Sequence, residues 1–265
     1  MALNFSKRPA LVAYLTCGDP NLATTREVAL AAVEAGAAVL ELGVPFSDPV
    51  ADGPVIQRAS ERALRGGTRL ADVLQLAAEL RRQTAAGLIV FSYLNPLLQY
   101  GLERFCDTAA KAGVDGALLT DLPVEEAGGY LRLMRARGLA TVFLAAPTSP
   151  ERRLKRIAEA CSGFVYAVSR TGVTGEREQF PQDARELVAR LRKHTKLPVV
   201  VGFGISTPQQ FAAVGEYADA AAVGSAIVHT IERSPGREAA AVREFVAGLV
   251  SGRGAGRART SATRA

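Results

Sequence analysis

Pro198-Val199-Val200-Val201-Gly202-Phe203-Gly204-Ile205-Ser206-Thr207-Pro208-Gln209-Gln210 holds a strand, a turn and a helix start in one passage. The run Pro198–Gly202 is apolar throughout rather than alternating, as a strand covered on both faces requires. Thr207 and Gln210 make a capping box, with Pro208 in the first helical turn. An open dinucleotide-binding sheet would place Gly-x-Gly-x-x-Gly between strand and helix. This passage lacks the third glycine and lies late in the chain, and the sequence has no Walker A loop.

The same unit recurs along the chain. Candidate strands are Leu11–Thr16, Val39–Gly43, Leu88–Ser92, Gly116–Thr120, Ala140–Ala145, Phe164–Ser169, Pro198–Gly202 and Ala220–Gly224. Helical patterns cover residues 21–35, 69–85, 99–112, 124–137, 150–161, 181–195, 207–215 and 235–250, with a shorter helix starting near Pro54. Asp19-Pro20 and Ser149-Pro150 read as N-cap and proline pairs. Gly36, Gly113, Gly138 and Gly215 sit where helices should end. Eight strand–helix units with no break in composition predict an α/β protein, a single (β/α)8 TIM barrel over residues 1–250.

Composition agrees with one globular domain. Hydrophobic residues are 48% and charged residues 22% of 265, too apolar for a disordered chain. The net charge is +6, but Arg253, Arg257, Arg259 and Arg264 fall in residues 251–265, so the body carries only 6 − 4 = +2. That Gly-, Ala-, Ser- and Thr-rich stretch is read as a basic, disordered tail. It has no aromatic to stack on bases, which speaks against nucleic acid. Cys17, Cys106 and Cys161 are odd in number and widely spaced, against a disulfide scaffold or a zinc site. No apolar run reaches the ~18 residues of a membrane span, and residues 1–9 lack a signal-peptide core. A cytoplasmic protein is the expectation.

Active sites in such barrels lie at the carboxyl ends of the strands. Four features stand there. Glu41 lies between leucines at the end of a strand, where burial would raise its pKa; an arginine partner is the alternative. Asp48 and Asp52 lie in a loop restricted by Pro45, Pro49 and Pro54, and Asp52 taken alone reads better as the N-cap of the helix starting near Pro54. Gly202–Ser206 and Gly224–Ile227 follow the seventh and eighth strands, the frequent phosphate position, although such glycines also make plain turns. Ser169–Gly175 has the small residues of a closing loop or of an irregular surface one. His194 and His229, the two histidines, fit no metal-ligand spacing, and no serine sits in a nucleophile elbow.

Together these residues resemble the tryptophan synthase alpha subunit family. The most specific stretch is Leu40-Glu41-Leu42-Gly43-Val44-Pro45-Phe46-Ser47-Asp48-Pro49-Val50-Ala51-Asp52-Gly53-Pro54. It is joined in order by Tyr14–Pro20, Asp121–Glu126, Ser169–Gly175, Gly202–Ile205 and Gly224-Ser225. The resemblance implies retro-aldol cleavage of indole-3-glycerol phosphate to indole and glyceraldehyde 3-phosphate, without a cofactor in this chain. It implies Glu41 and Asp52 as catalytic residues and Tyr14, Tyr93 and Tyr166 around the indole. Thr174 would bond Asp52 on loop closure. Backbone groups of Gly175, Phe203, Gly204, Gly224 and Ser225 would hold the phosphate. It also implies an α2β2 complex with a pyridoxal-phosphate beta subunit that takes up the indole, met by Asp48, Pro49 and Asn95. The sequence departs from the family in a shorter segment before Leu11, which implies a different cap on the barrel floor, in Thr120 where an apolar or small residue is common, and in the Arg-bearing tail. A rival enzyme is another sugar-phosphate barrel, such as an isomerase or the indole-3-glycerol-phosphate-forming synthase; that synthase would want a strand-end lysine, and the predicted strand ends show Glu41 and no lysine. A non-catalytic phosphate-binding barrel should have lost a carboxylate, and both are present. A stand-alone indole-producing lyase stays open.

Overall fold

A computed structural model describes residue 3 and residues 5–168, 180–202 and 204–252. The strands are β1 (Ala10–Thr16), β2 (Ala37–Gly43), β3 (Gly87–Ser92), β4 (Gly116–Leu119), β5 (Ala140–Ala145), β6 (Val165–Val168), β7 (Val199–Gly202) and β8 (Ala220–Val223). They pair in parallel, each with the next and β8 with β1, into a closed barrel. Helices α1 (Leu22–Glu34), α2 (Pro54–Arg65), α3 (Leu70–Arg81), α4 (Leu94–Tyr100) and α5 (Leu102–Lys111) follow the first three strands. Helices α6 (Gly128–Ala136), α7 (Glu151–Ala160), α8 (Phe180–Leu191), α9 (Pro208–Val214), α10 (Ser225–Glu232) and α11 (Glu238–Ser251) complete the outer ring. None of these helices is long and apolar enough to cross a membrane. The expected single barrel is the observed one.

Side chains alternate across the strands, so two apolar layers form. Val12, Val39, Ile89, Leu118, Val142, Phe164 and Val200 fill the barrel interior as one cluster. Their neighbours Leu11, Leu40, Leu88, Ala117 and Val201 pack outward against the helices. Every residue of β1 and β7 is buried, which is why these runs read as apolar throughout.

Several boundaries differ from the expected ones. The N-cap of α1 is Asn21, whose Oδ1 accepts the Thr24 amide at 2.8 Å, not Asp19, whose carboxylate is taken by Arg62. Ser149 does not cap α7; its hydroxyl accepts the Ala146 amide at 3.2 Å. The pattern over 99–112 is two helices, α4 and α5, parted at Gly101, where φ is +92° and a side chain would be strained. The capping box at Thr207 is present as expected.

Leu3 and Phe5 pack against the interior cluster from below β1, and none of the described residues before β1 is helical. Phe5 meets Phe164 edge-on at 5.8 Å. Leu3 lies against Gly87 and Gly163, where an added Cβ would come within 2.6 and 3.1 Å of it. Asp219 locks this segment: it pairs with Arg8 and Arg192, and its Oδ2 accepts the Val199 amide at 2.8 Å. Burial opposes ionisation there, but the bonds from Val199, Arg8 and Arg192 hold the carboxyl below its ordinary value. Replacing Asp219 by Ala strands a buried amide and two arginines, so it should cost about 2–3 kcal/mol and lower the thermal midpoint by roughly 5–10 °C. Differential scanning calorimetry checks this, and Asp219→Asn should recover part of the loss.

Candidate active site

The carboxyl ends of the strands hold the polar interior. Glu41 is on the inner face of β2, two residues beyond Val39, and pairs in register with Tyr14 and Ile89. It is 1% exposed, and its Oε1 finds no hydrogen-bond partner among the described residues. Burial pushes its carboxyl up to about 8. The alternative of an arginine partner is therefore not what the described residues supply. Tyr14 and Tyr166 flank this position from β1 and β6. The Tyr14 hydroxyl lies where a Cβ on Gly43 would be, and the Tyr166 hydroxyl where a Cβ on Gly202 would be. These two glycines are needed for close approach of a ring, a different reason from a turn. Burial first, then the charge of Asp52, raises the Tyr14 hydroxyl pKa, and Glu41 acts on it too. Tyr166 is raised by burial and then by Glu41. Tyr14 is thus in the field of both carboxylates.

Asp52 lies just ahead of α2, but it is not the N-cap; Gly53 is. Its Oδ2 accepts the Tyr93 hydroxyl at 3.1 Å, and that hydroxyl in turn accepts the Ala51 amide at 2.9 Å. Phe46 packs on the Tyr93 ring at 5.1 Å. The loop after β2 is so pinned to the end of β3. Burial pushes the Asp52 carboxyl up to about 6, with the Tyr93 bond working the other way. Asp52 is half-buried rather than freely solvated, yet two units below Glu41 it ionises first. Thr120 lies at the mouth beside them, its hydroxyl 3.4 Å from the Ser92 carbonyl.

Two glycine positions face the same mouth. Gly204 has φ +71° and is exposed. Gly224 is the N-cap of α10, and a Cβ there would stand 3.4 Å from Tyr14. The first intrahelical bond of α10 comes from Val228 to Gly224, so the amides of Ser225, Ala226 and Ile227 are without helical acceptors. Such an end attracts an anion. Thr174, Gly175 and Phe203 lie outside the described residues, as do residues 253–265 of the tail. Asp48 and Asn95 are exposed, on the loop after β2 and on α4, and Pro49 is half-buried. Beside them Val50 is 86% and Leu98 54% exposed, an apolar extension that the sequence reading missed. Also missed was the Tyr93–Asp52 bond, which joins residues 41 apart. No group of His, Cys, Asp and Glu among the described residues is arranged to hold a metal.

The comparisons with known proteins cover nearly the whole chain. The family profile described as "Tryptophan synthase alpha chain" matches residues 1–251. The tryptophan synthase alpha chain of Solibacter usitatus is 53% identical over 232 residues, 88% of this chain and 87% of that one. That of Geotalea daltonii is 48% identical over 233 residues, 88% of each. Among solved structures, Mycobacterium tuberculosis tryptophan synthase superposes with a TM-score of 0.85 at 38% identity, covering 94% of both chains. The tryptophan synthase A-subunit of Pyrococcus furiosus gives 0.85 and 38%, covering 92% of this chain and 99% of that one. With the barrel and its polar mouth, these matches place the chain in the tryptophan synthase alpha chain family.

Proposed function

We propose that this chain is the lyase component of tryptophan synthase, cleaving indole-3-glycerol phosphate to indole and glyceraldehyde 3-phosphate in tryptophan biosynthesis. The observation that carries the site assignment is Glu41, a buried carboxyl on the inner barrel wall whose Oε1 has no hydrogen-bond partner among the described residues. Expelling indole C3 as a carbanion is too costly, so C3 must be protonated before its bond to the glycerol chain breaks. Glu41, neutral near pH 7, gives that proton. The ring becomes an indoleninium whose charge sits at the nitrogen, where ionised Asp52 accepts the N–H. As the C3–C bond breaks, its electron pair returns to the ring. Glu41, now ionised, takes the hydroxyl proton of the departing chain as the aldehyde forms, which restores its starting state. Two carboxyls with separated pKa values suit the two roles.

The substrate phosphate is held by main-chain amides of Gly204, Gly224 and Ser225, with Phe203 and Gly175 completing the cradle. Tyr14, Tyr93 and Tyr166 line the indole pocket, and Thr174 meets Asp52 when its loop closes. The chain takes no cofactor; pyridoxal phosphate belongs to the beta subunit, which receives the indole and joins it to serine. That partner docks on Asp48, Pro49 and Asn95, with exposed Val50 and Leu98 supporting an apolar contact there. We place the α2β2 assembly in the cytoplasm; of the stretch read as a tail, Ser251 is the last residue of α11 and Gly252 its C-cap.

Glu41→Gln and Asp52→Asn should each lower indole release by about 10²–10⁴-fold or more while substrate still binds, measured by an indole assay beside calorimetry. Full activity in either variant contradicts its role. The kcat/KM profile should be bell-shaped, with an acid limb near pH 6 from Asp52 and a basic limb near pH 8 from Glu41. The same shift acts on stability. The folded chain holds the Glu41 proton more tightly than the unfolded chain, so the associated stability is complete below pH 4.5 and is lost as pH rises through about 8. Glu41→Gln should therefore gain on the wild type at pH 9, by on the order of a few kcal/mol, in urea unfolding. Gly204→Val should weaken glycerol 3-phosphate, and an unchanged affinity would overturn the phosphate assignment.

A further inference from the structure

Arg62 meets none of the reacting atoms in this mechanism, yet from α2 it joins the loop between β1 and α1 to the end of α10. From α2 its Nε and Nη2 donate to the two carboxylate oxygens of Asp19 at 2.7 and 2.8 Å, and its Nη1 donates to Glu232 Oε1 at 2.9 Å. One turn earlier, Arg58 donates to both oxygens of Glu232, each at 2.9 Å. Asp19 belongs to the connection between β1 and α1 and is 2% exposed. Glu232 is the last residue of α10.

The ends of these elements are at the site. Helix α2 begins at Pro54, directly after Asp52 and its cap Gly53. Helix α10 begins at Ser225, in the phosphate cradle. The same elements also share one apolar cluster, Tyr14, Ala59 and Val228 from β1, α2 and α10, with Val55, Ile56 and Phe91 against it. The contact between α2 and α10 is therefore both packed and charged. A planar guanidinium bound at both edges fixes orientation as well as distance, which a point charge does not.

We propose that Arg62 is a positioning residue that couples occupation of the phosphate site to the placement of Asp52. The proposal rests on the substrate assignment above. An anion on the α10 amides favours one orientation of that helix. Glu232, at its far end, hands that orientation to α2 through Arg58 and Arg62. Asp19 ties the same guanidinium to the β1 loop, so α2 settles with Asp52 facing the ring held by Tyr14. Binding at the two ends of the substrate then becomes cooperative, and typical couplings between sites are about 5–150-fold.

Isothermal titration calorimetry of indole, with and without saturating glycerol 3-phosphate, measures this on the full chain. The wild type should bind indole at least about fivefold more tightly when glycerol 3-phosphate is present. Arg62→Gln and Glu232→Gln should bring that ratio towards one, and Arg62→Lys should leave it intermediate. A merely structural role would lower the thermal midpoint and leave the ratio alone. Folded variants that keep the wild-type ratio overturn the proposal, as does a wild type that binds both ligands independently. A wild type that binds neither ligand overturns the substrate assignment, and the coupling with it. Glu232→Gln keeps a hydrogen-bond acceptor and so serves if Arg62→Gln does not fold.

Discussion

A carboxyl group enclosed by the inner wall of the barrel, its Oε1 without a hydrogen-bond partner among the described residues, sets the terms for the rest of the site. Burying Glu41 in its ionised form would be expensive, so the group stays protonated at neutral pH. In the proposed reaction this makes an ordinary glutamate the proton donor that the indole carbon needs. The barrel makes room for that chemistry by giving up side chains. Gly43 and Gly202 leave their neighbours' space to the Tyr14 and Tyr166 rings, which stand over the site. The floor below is filled with Phe164, Val200 and Phe5, so water is excluded from underneath.

The second carboxyl suits its proposed role because its surroundings are different. Asp52 is on a loop, half-buried, and receives a hydrogen bond from Tyr93, so it loses its proton at lower pH than Glu41. Between about pH 6 and pH 8 one acid is charged and the other is not. In the proposed scheme the phosphate end is held by the main-chain amides at the start of α10 and the left-handed turn at Gly204. The two ends are then tied by the Arg58, Arg62, Glu232 and Asp19 network behind α2.

The strands were legible because a parallel strand buried on both faces is apolar at every position, as in Val199-Val200-Val201. Helix starts were less so, because a capping residue is also a hydrogen-bonding residue that a distant partner can claim. Asp19 has the spacing of a cap and is bound by Arg62 instead. Gly101 splits a pattern that reads as one helix, since periodicity does not register one residue of positive φ. Within the site, Glu41 stood out as a carboxylate among leucines. Asp52 did not, because its meaning depends on Tyr93, far away in the sequence. The role of Arg62 depends on Glu232, further still, and one arginine on a charged helix carries no mark of that.

The protonation state of Glu41 is the quantity on which this account depends most. Infrared difference spectroscopy of wild type against Glu41→Gln reads it directly, without turnover. The account predicts a protonated carboxyl C=O band at pH 7 that is missing in the variant and fades as pH rises through about 8. A wild type whose Glu41 shows only carboxylate bands at pH 7 would contradict it.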